Sequence, residues 1–489
     1  MSAPAIVTLH GFNSGSQSAK GQLFARRAAA LADPPVFHLP SLAHRPGFER
    51  RIVTMPPPVA SKHTPSLWAA TAVADRDWPT LEGDARADVA IVGGGYTGCA
   101  AALALAQSGA KVALVEANLI GWGASGRTGG QVIPGLKYDP EELEAMFGPE
   151  LGPRVVAAVG SVGDEVFGLI ERHGIACDAV RRGWLQPAFS APTLRTVTRR
   201  AGQWSQRGAG VAILDRAQMT DRIGSEHYLG GLEDSRAGHV QPLSYIRGLA
   251  AAADRAGASI YVRTPATALE ARSGRWTVAT PRGQIVADTV LIGTNGYTNG
   301  LWPGLARTVV PMMSFQAATS PLPPGLGARI LRHGHCASDT RRLLWYYRRD
   351  NEGRLVMGGR APFRDDLGPN DAVHLRAAVD RLYPQLRDVP FEYYWTGRVA
   401  MTKDSLPHLH ELAPGLWAGL GFNGRGVGMA TLMGRWLALL ARGTKPVDIP
   451  FPVTAMRPIP GYPFTRIVAR ALVRYYRLRD RLEAAGIHA

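Results

Sequence analysis

The chain has 489 residues, of which 46% are hydrophobic and 19% charged, enough apolar material for a sizeable buried core. Its net charge of +16 is spread along the whole length, is mostly arginine and comes with no Lys-rich run or nucleic-acid-binding motif, so nucleic acid is not the expected partner. Cys99, Cys177 and Cys336 are far apart and form no CxxC, which excludes a disulfide framework and a zinc site and suits a reducing cytoplasm.

In chain order, residues 1–60 read as an extension. IVTLHGFNSGSQSAKG predicts a short strand, a loop and a helix from about Ser18. It resembles the opening of small α/β-hydrolase esterases, but the chain has no GxSxG nucleophile elbow, so no esterase activity is expected. RRIVTMPPPVASKHTP reads as a Pro-rich linker, and Met55 as an alternative start.

From Ser66 a Trp-bearing arm, SLWAATA, leads to Val89–Val92, a continuous apolar run suited to a buried parallel strand. GGGYTG follows, then an Ala/Leu helix ending near Gly109 and a second strand, KVALVEA. Gly93, Gly95 and Gly98 form GxGxxG in this βαβ unit: one for the tight turn, one for close approach to a pyrophosphate, one for helix-on-sheet packing. The helix start offers free N–H groups to phosphate. Glu116 closes the second strand, where an acid accepts from a ribose hydroxyl.

GWGASGRTGGQV supplies a second glycine loop, in which Arg127 can face phosphate. Residues 136–230 are mainly helical, and 238–300 give a helix, a strand, a hairpin and a buried strand. Residues 308–397 alternate strands with one helix around His374–Tyr383. LWAGLG then predicts a strand, and GLGFNGRGVGM a third glycine loop opening a helix. The tail, FTRIVARALVRYYRLRDRLE, is an amphipathic helix expected to pack on the cofactor domain through Val468, Leu472 and Tyr476, with peripheral membrane contact as its other use. No apolar run is long enough to span a bilayer.

LWAATA, GGGYTG, VALVEA, GWGASGRTGGQV, GTNGYT, TGRVAMTKDSLPHL, GLGFNGRGVGM and the YYRLRDRL tail occur in the order seen in one family. From about Ser66 to Arg481 the chain resembles the D-amino-acid-oxidase-like FAD superfamily, within it most closely the gamma-glutamylputrescine oxidase branch. That resemblance implies an α/β fold: a discontinuous Rossmann-like FAD-binding domain (66–135, 231–310 and 398–445) and a substrate domain on a mainly antiparallel sheet (136–230 and 311–397). Residues 446–489 form the basic tail.

The resemblance implies non-covalent FAD held by Gly93, Gly95, Tyr96, Thr97 and Gly98, by Glu116 and Ala117, and by Ser125, Gly126, Arg127, Gly130 and Gln131. Ala266, Thr294, Asn295 and Gly296 follow, then Gly421, Phe422, Asn423, Gly424, Gly426, Val427 and Gly428. No metal is implied. A small amine, with gamma-glutamylputrescine favoured, would be oxidised to an imine and hydrolysed to aldehyde and ammonia, with O2 reduced to hydrogen peroxide. The alternative is an amino-acid enzyme (D-amino acid, sarcosine or glycine-like) that passes electrons to O2 or a carrier. Resembling amino-acid enzymes carry a Lys near the position of Asn423, and its absence here favours the amine, whereas Arg398 and Lys403 keep a carboxylate partner in reach. Gln241 stands where the branch often has His, and Thr128 where it has Asn. Candidate substrate-side residues are His239, Gln241, Tyr346, Trp395 and Asn423, among the aromatic runs Trp345–Tyr347 and Tyr393–Trp395. Oligomeric state is left open.

Overall fold

A computed structural model describes the backbone of residues 50–53, and residues 62–361 and 367–485 in full. The esterase-like reading of residues 1–49 and the Met55 start fall outside the described residues. Arg50–Val53, read above as linker, pairs antiparallel with Ala268–Arg272 at the edge of a sheet.

The chain folds as a mixed α/β protein built on two large sheets. In the first, Gly83–Val92 lies between Gly283–Ile292 and Val112–Val115, with Ser259–Tyr261 beyond, all parallel. The hairpin Ala268–Arg272/Arg275–Thr280 pairs with the first half of Gly283–Ile292, and Leu416–Leu420 pairs parallel with its second half. Along Val89–Val92 the side chains alternate between two cores. Val89 and Ile91 meet Leu103, Leu249 and Met433 on the helical side; Ala90 and Val92 meet Leu269, Val278 and Leu305 on the other. A strand buried on both faces has to be apolar throughout, which is why it reads as an unbroken run.

The second sheet runs in the order Phe391–Met401, Val310–Pro321, Arg354–Arg360, Tyr346–Arg349, Cys336–Ser338, Trp184–Ala188, Gly230–Asp234, Val211–Leu214. Every pairing in it is antiparallel except Cys336–Ser338 with Trp184–Ala188. Phe315, Met357 and Tyr347 turn into a core closed by Leu375, Val379 and Leu382 of the helix Val373–Leu382. By the two-residue alternation of strands, Ser314, Gln316, Trp184, Gln186 and Tyr346 face the other way, toward the first sheet.

Two helical stretches pack differently from expectation. Pro140–Gly160 and Val162–His173, counted above with the substrate half, send Val156, Val162 and Val166 into the core of the first sheet's helices. The tail helix, Thr465–Ala484, lies on the second sheet instead: Ala469 joins Val310, Met312 and Met401. Val468, Leu472 and Tyr476 remain partly exposed, because the helix is anchored by charge rather than by that apolar stripe. Asp480 accepts from the amides of Arg342 and Leu343 (3.2 and 3.1 Å), and the Arg342 side chain donates to Asp480 and Glu483 (2.9 and 2.8 Å). No described helix is long and apolar enough to cross a membrane.

Candidate active site

A cavity of about 580 Å³ lies between the two sheets, within the usual range for ligand sites. One end is lined by Gly93, Gly94, Gly95, Tyr96 and Thr97, so the first-turn amides of the helix Tyr96–Gln107, which have no intrahelical acceptor, border it. Gly93 has φ +113°, which L side chains rarely adopt. A Cβ on Gly98 would sit 1.9 Å from the Gly93 carbonyl oxygen, so strand and helix touch backbone to backbone. The Glu116 carboxylate accepts from the amides of Gly94 (2.7 Å) and Asn118 (2.9 Å), and burial raises its pKa above the ordinary carboxylate value. A ribose hydroxyl donating to it would relieve that burial. The Ser125 hydroxyl accepts from the Tyr96 amide (3.1 Å) and draws the second glycine loop over the turn.

That loop is tied down by its carbonyls. Arg127 O accepts from Gln316 Nε2 (2.6 Å) and Trp395 Nε1 (3.0 Å), Thr128 O from Trp68 Nε1 (2.8 Å), and Gly129 O from Arg348 Nε (2.9 Å). Trp68 belongs to the arm read in SLWAATA; it is fully buried and carries the Arg348 guanidinium on its ring at 4.6 Å. The arm and the second sheet therefore hold one cavity wall between them.

Of the cofactor residues expected from the sequence, Gly93, Gly95, Tyr96, Thr97, Glu116, Ala117, Ser125, Arg127, Gln131 and Ala266 line the cavity, with Thr294, Asn295, Phe422, Asn423, Gly424 and Gly426. Gly98, Gly126, Gly130, Gly296, Gly421, Val427 and Gly428 lie behind that lining. There several permit close packing, as at Gly421, where a Cβ would meet Thr402 Cγ2 at 2.3 Å. The cradle fits FAD: amides at a helix start for the diphosphate, an acid for the ribose, and a wall of loop backbone for the ring.

The substrate-side candidates separate. Tyr346 lines the cavity and its hydroxyl meets Ser314 Oγ at 2.7 Å. Asn423 lines it too, but its Oδ1 accepts from the Thr402 amide (2.9 Å) and its Nδ2 donates to Gly421 O (2.6 Å), so it shapes the third glycine loop. Trp395 lies behind the wall on Arg127 O. His239 is buried off the cavity: Arg348 Nη1 donates to its Nδ1 (3.0 Å), which leaves Nε2–H to donate to Gly334 O (3.2 Å). Burial and Arg348 hold its pKa well below the ordinary histidine value, so the ring is neutral with both nitrogens engaged. Gln241 caps the helix Pro242–Arg255 through Ser244 N (2.8 Å) and donates to Trp68 O (2.9 Å). Tyr347, with Tyr228, belongs to the core. Arg398 lines the cavity, beneath Tyr297; Lys403 is exposed away from it. None of the three cysteines lines the cavity, and Cys336 donates to Gly238 O.

Sequence reasoning missed the polar part of the far wall. Lys137, Arg200, Arg342, Arg360 and Arg425 line it beside Trp184 and Gln186, while Glu116 and Asp339 are the lining acids among the described residues. Asp339 is spent on Arg341 and on the amides of Arg341 and Trp345. Arg425 sits within the third glycine loop, but the others carry no local motif, and only packing brings the five together.

Comparison with known proteins agrees with this geometry. The chain is 34% identical over 421 residues to "Probable oxidoreductase OrdL" of Rhizobium meliloti, covering 85% of this chain and 97% of that one. It is 32% identical over 430 residues to "Gamma-glutamylputrescine oxidoreductase" of Escherichia coli, covering 86% and 99%. Among solved structures, glycine oxidase from Geobacillus kaustophilus shares the fold with a TM-score of 0.64 at 23% identity, over 76% of this chain and 99% of that one. Residues 88–440 match the family described as FAD dependent oxidoreductase, and the chain belongs to that family.

Proposed function

We propose that the chain oxidises a small amine, with gamma-glutamylputrescine as favoured substrate, using non-covalently held FAD and passing electrons to O2. The observation that carries this reading is that one cavity runs from the dinucleotide turn at Gly93 to the Tyr346–Ser314 wall of the second sheet, so a single cleft has room for cofactor and substrate together. The relative named for gamma-glutamylputrescine, similar over nearly its whole length, supports the substrate class. When bound, FAD supplies the acceptor for the hydride of the amine carbon.

The chain's own part is to bind, orient and dry the amine. An amine gives up hydride only when its nitrogen is neutral. Among the described residues no histidine lines the cavity, and the substrate-side acid, Asp339, is already engaged, so on this reading the proton goes to water as the amine enters. Desolvation against Trp184 and Tyr346, beside Lys137, Arg200, Arg360 and Arg425, disfavours a further cation and lowers the bound amine's pKa. Turnover is therefore expected to persist well below the amine's solution pKa of about 10. Absence of a cysteine from the lining supports a non-covalent cofactor.

The test is direct. The purified protein should be yellow, acid precipitation should leave the flavin in the supernatant, and gamma-glutamylputrescine should bleach it without oxygen and yield peroxide with oxygen. Flavin that stays with the pellet refutes the non-covalent reading. A yellow protein that no amine bleaches refutes the amine assignment.

A second reading is favoured by Arg398 on the cavity wall: an amino-acid substrate whose carboxylate it pairs, with electrons passed to a carrier. Bleaching by sarcosine, glycine or a D-amino acid, without peroxide, would establish that reading.

The Asp480–Arg342 anchor yields a further expectation. Arg342, Leu343 and Leu344 line the cavity, and Asp480 holds the backbone amides of the first two. Asp480→Ala removes hydrogen bonds worth ~1–3 kcal/mol to a charged group. It should raise KM severalfold, lower kcat little and leave the flavin spectrum unchanged. An unaltered KM would show that the tail does not position that loop.

A further inference from the structure

We propose that the corner of the cavity formed by Lys137, Arg200 and Arg425 beside Trp184 is an anion subsite that takes a carboxylate carried by the substrate. This rests on the amine-oxidation reading above and adds to it a requirement on the rest of the substrate molecule.

Four separate segments build the corner. Lys137 precedes the helix Pro140–Gly160, Arg200 lies on Ala191–Gln206, Arg425 caps Gly426–Ala441, and Trp184 opens a strand of the second sheet. Arg200 is held in place: its Nε donates to Asp139 (2.5 Å) and its Nη1 to Gln186 Oε1 (2.7 Å). Asp139 also serves Arg199. Arg425 is different. Its guanidinium stacks on Trp184 at 5.0 Å and makes no hydrogen bond or ion pair with any described residue. Asp234, the acid that acts on it through space, is occupied by Arg236 through two hydrogen bonds (3.0 and 2.6 Å).

A guanidinium enclosed by protein without an anionic partner is costly. The cost shows in its neighbours' electrostatics. Burial and the Arg200 charge push Arg425 down to about 9, and burial with Arg425, Arg200 and Arg360 holds Lys137 well below the ordinary lysine value. An entering carboxylate relieves both, accepting from a planar fork that matches its geometry. The diphosphate of FAD does not meet this need, since its cradle is at the Gly93–Thr97 end with Ser125 and Arg127. Arg425 therefore faces the substrate side, among Trp184, Gln186 and Ser338.

The test uses the flavin-loaded protein and a matched pair of amines, 5-aminopentanoate and n-pentylamine, which differ by the carboxylate. Anaerobic bleaching should show the acid binding about tenfold or more tighter, as a charge-assisted contact predicts. That ratio should collapse toward one in Arg425→Gln and recover in part in Arg425→Lys. Independently of any turnover, glutarate should raise the Tm of the wild type and not of Arg425→Gln. Glutarate that shifts the Tm in an Arg425-dependent way, while no amine bleaches the flavin, would sink the oxidation reading and keep the subsite as a site for free carboxylates. A ratio unchanged in Arg425→Gln, or no preference together with no glutarate shift, overturns the proposal. Should Arg425→Gln fail to retain flavin, Lys137→Gln carries the same comparison with the same outcomes.

Discussion

Gly98→Ala is expected to cost the protein its flavin. The new methyl carbon would lie 1.9 Å from the Gly93 carbonyl oxygen and 3.1 Å from its carbon, with Ile91 Cγ2 at 3.3 Å. Two of these neighbours are backbone atoms of the turn proposed to meet the diphosphate, so no rotamer change relieves the overlap. The helix Tyr96–Gln107 would have to lift from the sheet, displacing Cys99, Leu103 and Leu105 from their shared core. Overpacking of this kind typically costs about 1–3 kcal/mol, and here it also moves the amides proposed to bind phosphate. The measurement is visible flavin absorbance per mole of purified protein, which should fall by at least tenfold. Gly202→Ala supplies the contrast: a Cβ there meets nothing within 4 Å on an exposed helix position, so stability should rise by ~0.5–1 kcal/mol. Full flavin content in Gly98→Ala would refute the assigned role of the turn.

Arg348→Met should destabilise the fold by several kcal/mol, about 1–3 for each buried acceptor that it leaves without a donor. The Arg348 guanidinium donates to Gly129 O (2.9 Å), Val240 O (2.8 Å) and His239 Nδ1 (3.0 Å), and burial pushes its own pKa down to about 10. Removing it strands the buried Val240 carbonyl, the half-buried Gly129 carbonyl and a buried ring nitrogen. It also frees the Gly129 backbone, so flavin affinity should fall together with stability. Arg348→Lys should rescue little, because one ammonium cannot span three acceptors set by a planar fork. Denaturant titration and flavin dissociation measured on the same samples decide the matter. A stable, fully yellow Arg348→Met would mean that the loop is held by Trp68, Trp395 and Gln316 alone.

Much of the cofactor half was legible because its geometry is local. The Gly93–Gly98 spacing dictates a turn and a close helix, and Glu116 is found accepting from Gly94 N, as its place after the second strand requires. The alternating cores on either side of Val89–Val92 follow from an unbroken apolar run. The substrate half was less legible. His239 and Gln241 invite a reading as reactive side chains, yet each has both polar atoms committed, one to Arg348 and Gly334, the other to Ser244 and Trp68. Sequence periodicity cannot show such commitments, since the partners lie up to 173 residues away. Lys137 and Arg200 were invisible for the same reason, and Arg425, though it stands in the third glycine loop, carried no sign that it converges with them. The tail helix was recognised as a helix but given the wrong seat, because two acids rather than its apolar stripe choose where it lies.

The positive lining of the cavity bears on how fast ligands arrive as well as on what stays. With Arg342, Arg360 and Arg398 on its walls and a net charge of +16 around it, the molecule draws anionic metabolites inward through solvent before any contact forms. Encounter rates for such compounds then become a function of ionic strength, fading as the Debye length shrinks below about 10 Å, whereas amines without an anionic group, which are cations in neutral solution, are held off by the same field and should arrive faster as salt screens it.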